Sequence, residues 1–479
     1  MKKYTFIFRE GRLDAFFVDL LLRNYGIDDF VFIEDKHSLE GYASLGEMKK
    51  ASEIGFDLCL NRNKIKQLEE RFKKNYLTYL NFLNYLDKTN LEDLDNNEIK
   101  IVLEKFCAIS RINVDIYFLT ESHYFEKLEK RIKGFLLKKS NDPSELNKYF
   151  IHLTTPANIY NFVHREELEW VELIKKNKIR NINNNVEKEI YDHFEKFRFM
   201  FFNKKPNHLI QKFKRMLPLH EIKLDKTKRK ILHSDKMIRD NRNKTIEDLK
   251  PTKEILILCE SVRRTAILRL NLRFFMNSKF FGKKISRAIA KRNFLGVNQV
   301  ENCLMSEIYS LLNNRKIDLT EVNKRNDGFV AVKKGKKLVF YTGERSQKII
   351  KKVKPIVDYN ISSLSGSIAN TGKITGKVRV IKNASDKEEL DIKISEMKKG
   401  DILVTEMTRP NLISTCKKAS AIITDEGGIN CHASIISREL NIPCIIGTKI
   451  ATEILHDGAL VEIDGGIGLI KIINNNTKK

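Results

Sequence analysis

The residues best suited to chemistry lie in one stretch, Thr424 to Thr448, where Gly427 and Gly428 precede Cys431 and His432. An apolar strand pattern, Ala421 to Thr424, runs into the two glycines, which permit a loop that side chains would block. An amphipathic pattern from His432 to about Leu440 then predicts a helix opened by the histidine. Backbone N–H groups in a first helical turn have no intrahelical acceptor and carry positive partial charge, so an anion is stabilised there. Imidazole, with a pKa of about 6.5, is largely neutral and nucleophilic at cellular pH. His432 at that place can attack a phosphoryl group and have the product's charge met by the helix end. Arg438, six residues further along the predicted helix, is a second candidate to hold the loop or the phosphate. A histidine that merely caps a helix is the competing interpretation of an isolated Gly-Gly and His.

The elements around this stretch alternate quickly. Strands are predicted at 376–382, 401–405, 444–447 and 459–463, with helices near 386–397 and 411–418, the alternation of an α/β domain. Eleven of the 22 glycines fall in 366–468, whereas Gly134 is the single one between Gly55 and Gly282. Glycine costs about 1 kcal/mol in a helix interior, so the poor region is expected to be helical. Leu77, Leu80, Leu83 and Leu86 recur at helical spacing, as do Leu168, Val171 and the neighbouring Leu173. A long helix is expected from Lys253 to Met276, carrying Arg263, Arg264, Arg269 and Arg273. Short strands are predicted at 4–8 and 30–33, and a hairpin turning at Gly335 over 329–341. The fold class is therefore multidomain: a mainly α-helical amino-terminal region and a carboxy-terminal α/β domain. The expected divisions are 1–250, mainly helical with short strands; 251–350, helical plus the hairpin; 351–365, a linker containing Pro355; and 366–475, the α/β domain.

Composition limits the alternatives. At 479 residues with 42% hydrophobic and 31% charged content, the chain has the makeup of a globular protein with several cores. No apolar run reaches the roughly 18 residues of a membrane span, and the amino terminus is too briefly apolar for a signal peptide. Seven cysteines without a CxxC pair fit a reducing cytoplasm better than disulfides or a zinc site. No metal site is expected. The formal charge of +26 raises nucleic acid as a partner. However, residues 360–479 hold 16 basic against 14 acidic side chains, a net of +2, so the remaining +24 is spread over 1–359. The densest run, Lys204 to Lys244, reads first as a solvated face or loop and only second as a surface for an anionic substrate, partner or nucleic acid. No RNA-recognition or helix-turn-helix signature accompanies it, which makes nucleic acid the third choice.

The whole segment resembles the mobile phosphohistidine (swivelling) domain of the phosphoenolpyruvate-utilising enzymes, a group including phosphoenolpyruvate synthase, pyruvate phosphate dikinase and the rifampin phosphotransferases. The resemblance rests on Gly427-Gly428, His432-Ala433-Ser434-Ile435, Arg438-Glu439-Leu440, Ile442-Pro443 and Gly447-Thr448 in that order. It extends to Gly372, Gly376 and the turn at Thr408-Arg409-Pro410, and downstream to Asp457-Gly458 and Asp464-Gly465 with Gly468. It implies a β/β/α domain in which His432 is phosphorylated, most simply on Nε2. Gly427, Gly428 and Cys431 would then shape its loop, with Thr408 and Arg438 in support. The dikinases place a regulatory threonine two residues before the histidine; Asn430 stands there, so that control is not expected.

In the complete enzymes such a domain swings between a nucleotide-grasping domain and an acceptor site. Neither a Gly-Gly-Lys-Gly loop, nor a Val-Arg-Ser-Ser strand, nor a Walker loop occurs in 1–359. With the chain read as ending at residue 479, the barrel that binds phosphoenolpyruvate is also expected to be absent. The resemblance thus implies a phosphotransferase component without a bound cofactor, supplied by a separate ATP-grasp protein that uses ATP and magnesium, and acting on an unknown small-molecule acceptor. Residues 250–345 are similar to the helical segment preceding the mobile domain in the rifampin-phosphotransferase branch, which makes Arg263, Arg264, Arg269 and Arg273 candidates for substrate or partner contact; a plain structural helix is the other interpretation. His164 and Trp170 are assigned to an ordinary amphipathic helix and His456 to a turn. A non-catalytic regulatory protein that keeps the domain as a scaffold is the second functional choice.

Overall fold

In the computed structural model of the chain, the described residues are 4–11, 13–24, 26–35, 38–157, 162–177, 184–197, 210–211, 213–214, 221–276, 279–354, 359–382, 387–408, 412–428 and 431–475. Much of the basic run and, individually, Pro355, Arg409, Pro410 and Asn430 lie outside them, as does the side chain of Arg273.

The amino-terminal body joins a small sheet to a helical assembly. Strands β1 (Tyr4–Gly11), β2 (Asp29–Glu34), β3 (Ser38–Ser44), β4 (Phe329–Lys334) and β5 (Lys337–Tyr341) pair antiparallel in the order β1-β3-β2-β4-β5. Gly335 turns the β4–β5 hairpin at φ +57°, a conformation glycine adopts without strain. β4 registers on β2 from Asp29 opposite Lys334 to Glu34 opposite Phe329. Segments 1–250 and 251–350, divided in the sequence, therefore share one sheet. They also share one core, which runs from Ala15 through Phe30, Phe106 and Leu272 to Phe329. An isolated hairpin cannot bury its apolar face, and here β4 and β5 complete the sheet at the edge of β2.

Helices α1 (Ala15–Asn24), α2 (Leu45–Leu60), α3 (Arg62–Lys88), α4 (Asn96–Phe118), α5 (Glu126–Leu136), α6 (Pro143–Thr154) and α7 (Phe162–Asn177) follow in order. Several start as their sequences dictate. Asn61 caps α3 by accepting from Asn63 and Lys64, and Asp95 with Glu98 forms a reciprocal box at the start of α4. The long helix α8 (Lys253–Met276) has the predicted bounds and packs against α2 to α6. Being surrounded, it is apolar on several sides, with Cys259 and Leu268 buried on opposite sides of the stripe formed by Leu258 and Leu272. Trp170 on α7 is buried against the rings of His193 and Phe213, and Glu166 pairs with His193 at 3.2 Å, a structural role as expected. His456 sits in a turn, where its carbonyl accepts from Ala459.

The carboxy-terminal body is an eight-stranded sheet built from β6 (Ser363–Ser365), β7 (Ser367–Asn370), β8 (Lys373–Val380), β9 (Ile402–Thr405), β10 (Ala421–Thr424), β11 (Cys444–Ile446), β12 (Leu460–Asp464) and β13 (Leu469–Asn474). The four neighbours β8, β9, β10 and β11 run parallel. Both faces of β9 and β10 are covered: Ile402, Val404 and Ile423 enter one core, and Leu403, Ile422 and Ile446 the other. Double-sided burial explains why these strands read as continuous apolar runs. Helix α9 (His432–Leu440) covers the second face through Ala433 and Ile436. The linker is shorter than 351–365, because Lys351 to Val353 end a helix and β6 pairs with β13.

Candidate active site

Parallel pairing of β9 with β10, Thr405 opposite Thr424, brings their carboxyl ends together. The loops after them, 406–408 and 425–428, therefore emerge side by side, where an open parallel sheet offers a crevice. Asp425 anchors the second loop: its buried carboxylate accepts from Thr448 Oγ1 at 3.1 Å and from the Thr452 amide at 3.1 Å. Gly427 follows at φ +132°, and a Cβ there would stand 2.9 Å from Cys431 Sγ. Position 427 thus requires glycine for backbone shape and for space.

Cys431 is the N-cap of α9, its Sγ accepting from the Ser434 amide at 3.3 Å. The Ser434 hydroxyl donates to the Gly428 carbonyl at 3.0 Å and ties the loop to the helix it feeds. His432 is the first helical residue and half-buried, with Nδ1 2.8 Å from Thr408 Oγ1. When Nδ1 carries the ring proton, it donates to Thr408 and nucleophilic attack falls to Nε2. The sequence-selected Gly427, Gly428, Cys431, Thr408 and His432 are brought together.

Arg438 goes elsewhere. It lies on α9 away from the loop; Nε donates to the Ala369 carbonyl at 2.9 Å and Nη1 to Thr155 Oγ1 of the helical body at 3.2 Å. Burial pulls its pKa down to about 10. Its place is at the junction of the two bodies, which Asn147 also bridges by donating to the Gly466 carbonyl at 3.0 Å. Two of the α8 arginines are likewise interhelical ties: Arg263 donates to the Leu153 carbonyl, and Arg264 forms a two-pronged pair with Glu69 at 2.8 and 2.7 Å.

Arg269 differs. Docking of the two bodies leaves a cleft of about 530 Å³, its solvent mouth included, and Arg269 lines it together with His432. The carboxy-terminal body contributes Met407, Thr408, Glu426 and the His432 loop; the helical body contributes Ile7, Thr120, Glu121, Phe125 and Arg269. The guanidinium donates to Glu121 Oε1 and to the Thr120 carbonyl, both at 3.0 Å, and lies 4.8 Å over the Tyr117 ring. Burial lowers its pKa, but Glu121 and Tyr117 outweigh that and hold it above the ordinary arginine range. Glu426 and Met407 belong to loops the sequence had marked, but nothing local distinguishes Glu121 or Ile7. Among the described residues, no group of three His, Cys, Asp or Glu side chains is placed to hold a metal ion.

A histidine here opens a helix with its ring fixed by a hydroxyl from the neighbouring strand-end loop, an arrangement with the chemistry to accept a phosphoryl group. The comparisons agree: residues 397–468 match the family "PEP-utilising enzyme, mobile domain", so the chain carries a domain of that family. Over 107 residues it is 50% identical to the "Probable phosphoenolpyruvate synthase" of Archaeoglobus fulgidus, covering 22% of this chain and 13% of that one. Over a further such match it is 49% identical to the phosphoenolpyruvate synthase of Pyrococcus furiosus, 22% of this chain and 12% of that one. An uncharacterized phosphotransferase of Bacillus subtilis is 41% identical over 111 residues, 23% of this chain and 12% of its own. The chain thus spans about an eighth of the length of these curated relatives.

Proposed function

We propose that this chain is a phosphotransfer component in which Nε2 of His432 carries a phosphoryl group from a separate ATP-dependent donor protein to a small-molecule acceptor. The observation that carries the proposal is the pairing of Thr408 Oγ1 with Nδ1 of a histidine at the mouth of a helix, facing a cleft. Fixing Nδ1 selects the tautomer whose Nε2 lone pair attacks phosphorus, and the helix start offsets the charge that arrives. A non-catalytic scaffold would require neither a ring so held nor Gly427 in a conformation only glycine adopts easily. His432 is half-buried at a cleft rather than sealed in a core, which also favours carriage. A nucleotide-grasp donor using ATP and magnesium is the proposed source of the phosphoryl group, since residues 1–359 carry no such motif themselves.

The test is incubation with a nucleotide-grasp protein, magnesium and γ-labelled ATP. Acid-labile label is expected on wild type and none on His432→Ala. Equal label on both proteins would refute carriage by His432.

A further inference from the structure

The helical body supplies a cation and a carboxylate to the same cleft as His432, although both come from elements distant in sequence. We infer that this cleft is the phosphoryl-acceptor subsite, taking an uncharged small molecule with a hydroxyl group and an apolar body; the inference rests on the carrier reading of His432.

The lining sets the class of acceptor. Arg269 and Glu121 offset each other at 3.0 Å, and Glu426 adds a second carboxylate to the walls. An acceptor bearing its own carboxylate would compete with the phosphoryl group for the one cation, Arg269, against two wall carboxylates, an unfavourable balance in a half-enclosed site. Ile7, Phe125 and Met407 provide apolar surface for the rest of the molecule.

The chemistry balances with the groups present. The acceptor oxygen attacks phosphorus and the P–Nε2 bond breaks. Its electron pair returns to the ring, which becomes neutral imidazole with the proton on Nδ1 facing Thr408. The hydroxyl proton passes to the Glu121 carboxylate. Arg269, beside Glu121, supplies positive charge to the phosphoryl oxygens in transit. Its hydrogen bonds to the Thr120 carbonyl and Glu121 hold it in place beforehand.

The experiment uses the full chain and a chemical donor, so that no partner protein is needed. Phosphoramidate is used to phosphorylate His432, followed by 31P NMR, and benzyl alcohol or pyruvate with magnesium is then added. Rates are compared at equal phosphohistidine content. Wild type is expected to form benzyl phosphate and no phosphorylated pyruvate. Glu121→Gln should slow transfer about 100-fold, the scale of a lost general base, and Ile7→Trp, on an edge strand, should block it by filling the cleft. Absence of phosphohistidine on wild type, or its presence on His432→Ala, overturns the carrier reading and this inference with it. Phosphohistidine that forms normally overturns the inference alone if wild type makes no benzyl phosphate, if both variants make it at the wild-type rate, or if pyruvate is the better acceptor.

Discussion

At the residue scale, reactivity is decided by how His432 is held. Thr408 contacts Nδ1 through its hydroxyl, so it acts through the ring as a positioning residue. Thr408→Val keeps the side chain's shape and removes the hydroxyl; loss of one such hydrogen bond, roughly 1.4 kcal/mol, should slow labelling of His432 about tenfold. Thr408→Ser should restore most of the rate, and a serine variant as slow as valine would argue against a role for the hydroxyl. Gly427 gives a second prediction. Gly427→Ala sets a Cβ at φ +132° against Cys431 Sγ, which itself caps α9. Strain of about 1–3 kcal/mol is expected, seen as a lower melting temperature together with slower labelling.

At the scale of elements, the short turn Ser122–Phe125 between α4 and α5 connects acid sensitivity to the cleft. Its His123 is fully buried, and burial first, then the charge of Arg269, lowers its pKa to about 3. The unfolded chain binds this proton below about 6.5, whereas the folded chain resists it until about 3. Between those values the unfolded state holds more protons, so stability rises with pH and is lost on acidification, by up to about 1.4 kcal/mol per pH unit. Denaturant midpoints measured from pH 7 to pH 4 should fall steeply in wild type and less steeply in His123→Asn. Parallel curves would show that other groups govern acid unfolding. Glu121 and Thr120 immediately precede this turn, so labelled protein should lose acceptor chemistry in acid before its carboxy-terminal sheet melts.

For the whole molecule, the polar ties between the two bodies include, among the described residues, Arg438 to Thr155 and Asn147 to the Gly466 carbonyl. A carrier domain must leave one site to reach another, and an interface held by such ties can open and close. The double variant Thr155→Val, Asn147→Ala should loosen docking. Small-angle scattering should then show a larger radius of gyration, with melting of the carboxy-terminal sheet unchanged. An unaltered scattering curve would mean that apolar contact alone holds the bodies together.

Much of the molecule was legible in its residues. The bounds of α8 and α9, the strand Ala421–Thr424 and the hairpin at Gly335 follow from local periodicity and turn chemistry, and the loop with His432 announces itself because glycines, cap and nucleophile are adjacent in the chain. The strand Ser38–Ser44 was not legible: Gly41 and Glu40 break its pattern, and only pairing with β1 and β2 on both sides makes it a strand. The role of Arg438 also had to come from the tertiary structure, since direction of a side chain along a helix depends on what packs beside it. The same is true of the cleft. Ile7, Glu121, Arg269 and His432 are placed together by sheet completion and domain docking, interactions between segments up to 425 positions apart. Local sequence fixes dihedral preference and therefore where a histidine can be presented; what faces it is set by long-range burial, which no local pattern encodes.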